Sequence, residues 1–573
     1  MDKRKDALNV FRAIQILGII VVLLSAGCAG VSQEMVPPQT LEPILVPATP
    51  PAPETTEPEN AAGEPAAAIG DSELPAAGVT AVPFDLGETN LEQTWVANEN
   101  LRNMPVRLEG MIAAPAAGDE LPIAVLIHGS HGVGCPADEM DEVQVWPCPD
   151  DENHHYEGFA YLLEALAEQG FVAMSIDANP AFVAAFGDPA DSTNPRLVAL
   201  FDLYLAQIAA AVDGEAVDFG VDLAGRVDLN QLVVLGHSQG GAGTVQIVYG
   251  RADHTTTEQV NAGQGPIAAA ILLAPEGSAP EDRHLPVPFA VILPECDRDV
   301  AGLAGQGYYE DARQATQRDD LAASIYLHHA NHNRFNSALG DETLGNASVI
   351  CDQLLPAADA QSFLASYATQ FFDWALGRGE DNTAALGLDA TQPAPDALLG
   401  VPALTSLALP TSQRLTLPLG EEGRVGTATA VHCEKGFIAD EEKRGPCGYY
   451  QLKQPGLPDE MAISWDGQGG AYEVTVPADS RDLSTYDVLH FRTVVNPVSE
   501  LNAAGDQQSF AVQLEDGAGK TTKVTVTNEP ALAFPSGEMG FDDFWQVNTW
   551  DNHVILSSVR IPLSVFSGID LTD

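Results

Sequence analysis

Between about residue 95 and residue 380 the apolar positions fall into two patterns that take turns along the chain. One is the short continuous run: Ile123 to Ile127, Phe171 to Ile176, Gln231 to Leu235, Ile267 to Ala274, Phe289 to Leu293 and Ser324 to His329. Runs this short and this unbroken predict strands buried on both faces. The other pattern repeats at helical spacing. Tyr156 to Gln169 places Phe159, Leu162, Leu163 and Leu166 on one face and stops at Gly170. Leu197 to Val212 ends before Asp213-Gly214, and Gln361 to Leu376 lines up Leu364, Tyr367, Phe371 and Trp374. Strands alternating with helices predict an α/β fold, a mostly parallel sheet with helices on both faces. VRLEGMIAAP (106–115) alternates more loosely and predicts an early antiparallel strand, with ordered sequence beginning near Thr94.

Beyond residue 410 helical spacing disappears. AISWD, YEVTVPA, VLHFRTVV, SFAVQLED, TKVTVTN and VILSSVRIPLSVF are short alternating segments with turn signals such as Asp516-Gly517. They predict an all-β sandwich over 411–573. The Pro- and Ala-rich stretch 381–410 reads as a linker, and the Pro/Ala/Glu/Thr-rich stretch 28–85 as a tether that cannot bury a core. The α/β domain is expected over 86–380.

Charge narrows the partners. The chain has 81 acidic and 26 basic residues, a net charge of -55, and no lysine between Lys5 and Lys435. Nucleic acid and anionic lipid surfaces are therefore excluded as expected partners. A surface this acidic and poor in lysine also suits solubility in high salt. At the N-terminus, Lys3, Arg4, Lys5 and Arg12 precede an apolar run, Ile14 to Leu24, that is too short for a comfortable membrane span. The run closes in Leu24-Ser25-Ala26-Gly27-Cys28. That segment resembles a bacterial lipoprotein signal, which implies removal of residues 1–27 and a lipid anchor on Cys28 at the outer face of a membrane. Six further cysteines remain, an even number suited to an oxidising compartment. Six cysteines allow about fifteen connectivities, which the sequence does not decide between; the set with the shortest loops is Cys135–Cys148, Cys296–Cys351 and Cys433–Cys447. No cysteine pair has zinc-ligand spacing, and the acidic loop 134–155 with His154 and His155 matches no metal motif, so no metal and no cofactor are expected.

The chemistry concentrates at QLVVLGHSQGGAGTVQIVYG (231–250), where an apolar strand runs into Gly236-His237-Ser238-Gln239-Gly240 and then into a helix. Strand, G-x-S-x-G and helix in succession resemble the nucleophile elbow of the α/β-hydrolases. The resemblance covers about residues 95–380 and implies that Ser238 is the nucleophile. His128-Gly129-Ser130-His131-Gly132, at the end of the 123–127 run, matches the turn that these enzymes place beside the nucleophile. The amides of Ser130 and Gln239 would then form the oxyanion hole, while the side chains of His128 and His131 are structural.

A serine needs a base, and the base needs a carboxylate. In the resembled fold the acid and the histidine follow the serine on loops after late strands. Asp297, in LPECDRDV directly after the 289–293 run, is the preferred acid, with Glu295, Asp299 and Glu276 as alternatives. Of His328, His329 and His332, the first two are placed on the strand and His332 beyond its end, so His332 is the preferred base. A Cys296–Cys351 bridge would tie the acid loop to the segment beyond that base. Within the superfamily the closest likeness is to secreted esterases, lipases and polyester hydrolases. Polyester hydrolases usually carry Met after the serine and an aromatic at the oxyanion turn, where this chain has Gln239 and Ser130. The C-terminal segment IPLSVFSGIDL resembles jelly-roll carbohydrate-binding modules, which implies a polysaccharide contact, with Trp465, Trp545 and Trp550 as candidates. In such modules another strand follows, so sequence beyond Asp573 is expected. The leading expectation is a lipid-anchored ester hydrolase. A peptidase of the same fold, or a catalytically inactive surface binding protein, are the alternatives.

Overall fold

The computed structural model describes residues 18–24, 79–131, 146–148, 152–184, 186–187, 189–277, 284–300, 302–340, 347–351, 353–379, 381–433, 459–497, 499–535, 538–541 and 554–572. In chain order the first strands are β1 (Gly18–Leu24), β2 (Val82–Glu92), β3 (Asn103–Ala113), β4 (Leu121–Ile127), β5 (Val172–Ile176), β6 (Val227–His237), β7 (Ala269–Leu273), β8 (Phe289–Pro294) and β9 (Ala322–Leu327). They continue with β10 (Ala347–Ile350), β11 (Ala397–Leu398) and β12 (Val401–Ala408). The helices are α1 (Ala160–Glu168), α2 (Asn179–Phe182), α3 (Pro189–Val212), α4 (Gln239–Arg251), α5 (Thr257–Asn261), α6 (Gln306–Gln314) and α7 (Ala357–Ala375).

One large sheet runs in the order β11-β12-β9-β8-β7-β6-β4-β5-β3-β2. Its centre, β5-β4-β6-β7-β8-β9, is parallel throughout, and antiparallel strands close both sides. This is the mostly parallel α/β sheet that the alternating pattern predicts, and it is consistent with an α/β-hydrolase. The period-2 geometry of each strand splits its apolar run between two cores. Ile123, Val125 and Ile127 pack on one face with Leu197, Tyr204 and Val245. Ala124 and Leu126 pack on the other with Leu162, Leu166, Phe363 and Phe371. Thr193–Val212, within α3, is long and apolar enough to cross a membrane, but Leu197, Leu200, Phe201, Tyr204, Leu205 and Ile208 bury it in the first core.

Two boundaries differ from the sequence expectation. Order does not begin near Thr94: Val82–Glu92 already pairs with β3, and its first four residues lie inside the stretch read as a tether. Its register shifts between Asp85 and Glu88, so the apolar alternation that would have marked it is interrupted. The stretch read as a linker is not one either. Leu386 and Leu388 are buried, and Val401–Ala408 is hydrogen-bonded along the whole of β9. Proline and alanine there dilute the strand signal without removing it.

The rest of the chain is β13 (Gly423–Val425), β14 (Ala428–Cys433), β15 (Glu460–Trp465), β16 (Gly470–Val476), β17 (Val488–Thr493), β18 (Phe510–Glu515), β19 (Thr521–Val526), β20 (Glu538–Phe541) and β21 (Ser557–Pro562). They form small antiparallel sheets, β13-β14-β15, β16-β1-β18-β19, β17-β21 and β10-β20. Phe510, Val512, Leu514, Val559, Ile561 and Phe566 make a third core, with Trp465 packed against it. β1, part of the run expected to be an export signal, pairs antiparallel with β16 and β18. Cys28, Trp545 and Trp550 lie outside the described residues, as does the tether before residue 79.

A buried ion pair joins this antiparallel part to the α/β part. Arg492 of β17 donates to Glu310 of α6 at 2.6 and 2.8 Å, and Arg313 donates to the same carboxylate at 3.0 Å. Arg560 of β21 donates to the carbonyls of Asp389 and Gly387, and the Ser406 hydroxyl of β12 donates to Leu556 O at 2.9 Å. Glu460 lies within range of Glu310, Arg492 and Arg313, and its carboxyl is pushed up to about 8, first by burial and then by Glu310. A carboxyl raised in this way keeps its proton in the folded chain while the unfolded chain has already lost it. Stability therefore falls as pH climbs from the ordinary value of 4.5 toward 8. Glu460→Gln should remove that loss. In denaturant unfolding at several pH values, the variant should gain on the native chain by about 1.4 kcal/mol per pH unit across this window, and the two should converge near the lower end.

Candidate active site

β6 carries its apolar run to the middle of the sheet and ends at His237. Ser238 follows with φ 56° and ψ −125°, and α4 begins at the next residue. A serine rarely holds this backbone, and the surrounding contacts impose it. The Ser238 amide donates to Leu273 O of β7 at 2.9 Å, and the Ser238 carbonyl accepts from Gly241 at 2.9 Å and Glu276 at 3.1 Å. The glycines make the turn sterically possible. A Cβ on Gly236 would fall on Gly240 O and the Thr244 hydroxyl, and one on Gly240 would lie 2.5 Å from the carbonyls of Ile127 and His128.

The turn after β4 lies against this elbow. A Cβ on Gly129 would overlap Ser238 Cβ and stand 2.8 Å from His131 Nε2. His128 clamps the turn from behind: its Nδ1 lies 2.9 Å from Gly129 O, and its Nε2 accepts from the Ala178 amide at 2.9 Å. Burial pulls its pKa down to about 4, so the ring that makes these two bonds is neutral. Among the described residues, no carbonyl accepts from the amide of Ser130 or of Gln239.

Asp297 and His332 sit on the loops after β8 and β9. His332 Nδ1 lies 2.9 Å from Asp297 Oδ2, and both side chains are buried. Asp297 Oδ1 accepts from the amides of Asp299 at 3.0 Å and Val300 at 2.6 Å, so the carboxylate is solvated by backbone rather than water. The two loops are fastened together at several points. Cys296 N–H donates to Ala330 O at 2.8 Å, Glu295 N–H donates to Leu327 O at 3.0 Å, and Cys296 is bridged to Cys351. That bridge is the one expected from loop length. Cys148 and Cys433 are also disulfide-bonded, while Cys135 and Cys447 lie outside the described residues.

The alternatives to Asp297 and His332 have other positions. Glu295 is buried, accepts from the His329 amide at 2.7 Å, and stands 3.2 Å from His328 Nδ1 and 3.6 Å from His329 Nδ1. β9 ends at Leu327, so His328 and His329 are not on the strand as the sequence suggested. His329 turns the chain at φ 62°, and both rings face Glu295. Asp299 Oδ2 is 3.5 Å from His332 Nε2, and burial raises its pKa. Glu276 is exposed; its amide donates to Ser238 O at 3.1 Å and its carbonyl accepts from the Tyr308 hydroxyl at 3.0 Å.

Two groupings were not visible in the sequence. His131 from the turn after β4, His237 from the last position of β6 and His332 from the loop after β9 come together, one ring nitrogen of each lying within 4.8 Å of the others. Burial lowers the pKa of His131 and His237 well below the ordinary histidine value. Glu109, Glu152 and Asp177 also converge, and burial pushes Glu152 up to about 8 and Asp177 to about 7. The position of Asp177 at the end of β5 was the one available hint.

No family model matches the chain. Two distant relatives are cutinases of Thermobifida alba. Cutinase est2 is 29% identical over 191 residues, 33% of this chain and 52% of that protein. Cutinase est1 is 28% identical over 192 residues, 33% of this chain and 53% of that protein. The chain thus spans about half the length of the curated relatives it matches.

The elbow yields a structural prediction that needs no assay. Gly240→Ala drives a methyl into the backbone carbonyls of Ile127, the last residue of β4, and His128 just after it, which cannot move without disturbing the centre of the sheet. Denaturant unfolding should register a loss of about 3 kcal/mol or more. Gly250→Ala, in the same helix with open space at its Cβ, should be neutral or stabilising.

Proposed function

We propose that this chain hydrolyses carboxylic esters with Ser238 as nucleophile, His332 as general base and Asp297 as the residue that orients the base. The observation that carries the reading is the buried 2.9 Å contact between Asp297 Oδ2 and His332 Nδ1, on the loops that follow β8 and β9. A carboxylate facing Nδ1 fixes the hydrogen on that nitrogen and leaves the Nε2 lone pair as the base.

In this reading His332 Nε2 removes the Ser238 hydroxyl proton as Oγ attacks the ester carbonyl. The tetrahedral oxyanion receives hydrogen bonds from the amides of Ser130 and Gln239. His332 then returns the proton to the departing alcohol. Water, activated by the same nitrogen, releases the acid from the acyl-enzyme. Asp297 holds the imidazole by its Nδ1 and stabilises the imidazolium through each transfer.

The cutinase likeness supports an ester over an amide as substrate, and so an esterase over a peptidase. Small-molecule and polymeric esters are both candidate substrates, and Gln239 and Ser130 weigh against the polymer. Export, with a lipid anchor on Cys28, fits the signal-like N-terminus and the disulfides. A β-sandwich over the C-terminal part, serving as a polysaccharide-contacting accessory domain, belongs to the same proposal.

The test is hydrolysis of p-nitrophenyl esters from acetate to palmitate by the chain and two variants. Ser238→Ala should abolish activity. Asp297→Asn should lower kcat by about 10³- to 10⁴-fold with the fold intact, because the base loses its orientation. A fluorophosphonate probe should label the native chain at Ser238. Cleavage of aminoacyl amides without esters would favour the peptidase. A folded chain that neither labels nor hydrolyses would leave a binding protein.

A further inference from the structure

We propose that His131, His237 and His332 form a zinc-binding site, and that Zn²⁺ bound there inhibits the enzyme by occupying its base. The inhibitory part rests on His332 acting as the base; the binding part does not.

The donor atoms are aimed by their neighbours. His237 Nε2 lies 3.1 Å from the His332 carbonyl oxygen, which can only accept, so Nε2 carries the hydrogen and Nδ1 carries the lone pair. That Nδ1 faces His131 Nε2 at 3.1 Å. His332 Nδ1 faces the Asp297 carboxylate, which places its lone pair on Nε2. Two of the three imidazoles thus give their second N–H to a carbonyl or a carboxylate, the outer-shell arrangement that orients histidine toward a metal. The His131–His237 ring-nitrogen spacing is close to the ~3.3 Å expected between two nitrogens of a tetrahedral zinc site. The remaining spacings, within 4.8 Å, would close by up to about 1.5 Å on binding the metal. Asp299, 3.5 Å from His332 Nε2 and half-exposed, adds the negative charge that a dication favours. Three imidazoles without a thiolate suit Zn²⁺ and its borderline neighbours rather than Ca²⁺ or Mg²⁺.

The consequence follows from a single lone pair. Nε2 of His332 cannot coordinate zinc and accept the serine proton together. Inhibition should therefore track occupancy and be reversed by a chelator.

Co²⁺ reports the site, because a tetrahedral nitrogen site gives intense visible absorption and the many surface carboxylates give octahedral, weakly coloured complexes. Co²⁺ is titrated into the untagged, oxidised full chain and into its Ser238→Ala and His131→Phe variants. The native chain and Ser238→Ala should both develop the tetrahedral bands, and Zn²⁺ should remove them. His131→Phe keeps a ring of similar size without a donor and should lose the bands, with zinc affinity at least about ten-fold weaker. His131→Gln serves if the phenylalanine variant does not fold. Ester hydrolysis by the native chain should fall in step with zinc occupancy and return with EDTA, while any activity left in His131→Phe should not respond over that range. Absence of tetrahedral bands in the native chain, or their persistence in both His131 variants, overturns the site. If the native chain has no esterase activity, the spectrum of Ser238→Ala still decides binding. Tetrahedral bands with undiminished hydrolysis would refute the inhibition alone.

Discussion

Ser238 holds a backbone that its own side chain disfavours, and the arrangement around it follows from that constraint. The turn can be this sharp only if nothing projects from Gly236 and Gly240. With those side chains absent, the start of α4 comes down onto the carbonyls at the end of β4. The same closeness brings Gly129 against Ser238 Cβ. One steric requirement therefore sets the packing of helix on sheet and the closeness of the two loops beside the serine. His128 answers the same demand from the other side by tying Gly129 to the residue after Asp177.

The second half of the site is held by polar contacts. A buried carboxylate is costly unless its lone pairs are occupied. Asp297 meets that condition with two amides and one imidazole. Glu295, two residues earlier, meets it with the amide and ring of His329 and the ring of His328. The disulfide fixes the loop between these two carboxylates. The acid and the imidazole it faces are held by backbone on both loops, and little of their geometry depends on exposed side chains.

Much of this was legible in sequence because it is local. The elbow motif, the six parallel strands, the amphipathic α1 and α7, and the pairing of Cys296 with Cys351 each leave a signal within one segment or one loop length. The contents of the loops after β8 and β9 could be ranked by position alone, since a residue past a strand end is exposed to different neighbours from one on it. What stayed hidden is what needs the third dimension. Val82–Glu92 is an edge strand whose bulge breaks its period. Val401–Ala408 has a composition that suits a linker, and only its pairing with β9 makes it part of the sheet. His131 and His237 are 106 residues apart and His237 and His332 are 95 apart, and no spacing rule joins them. The placement of His328 and His329 went astray because strand β9 stops one residue before them.

The pairing of β12 with β9 carries a consequence for how the protein is made. Pro402 O accepts from the His328 amide, and Ala403 stands opposite Leu327, so β12 backs the segment that leads to His332. A chain emerging from its N-terminus presents the serine, the acid and the imidazole long before it presents residue 408. Until then β9 is an unpaired edge. The segment around His332 is thus braced by sequence that lies far beyond it, and a nascent chain halted in the 381–410 stretch would carry Ser238, Asp297 and His332 without the strand that backs one of them.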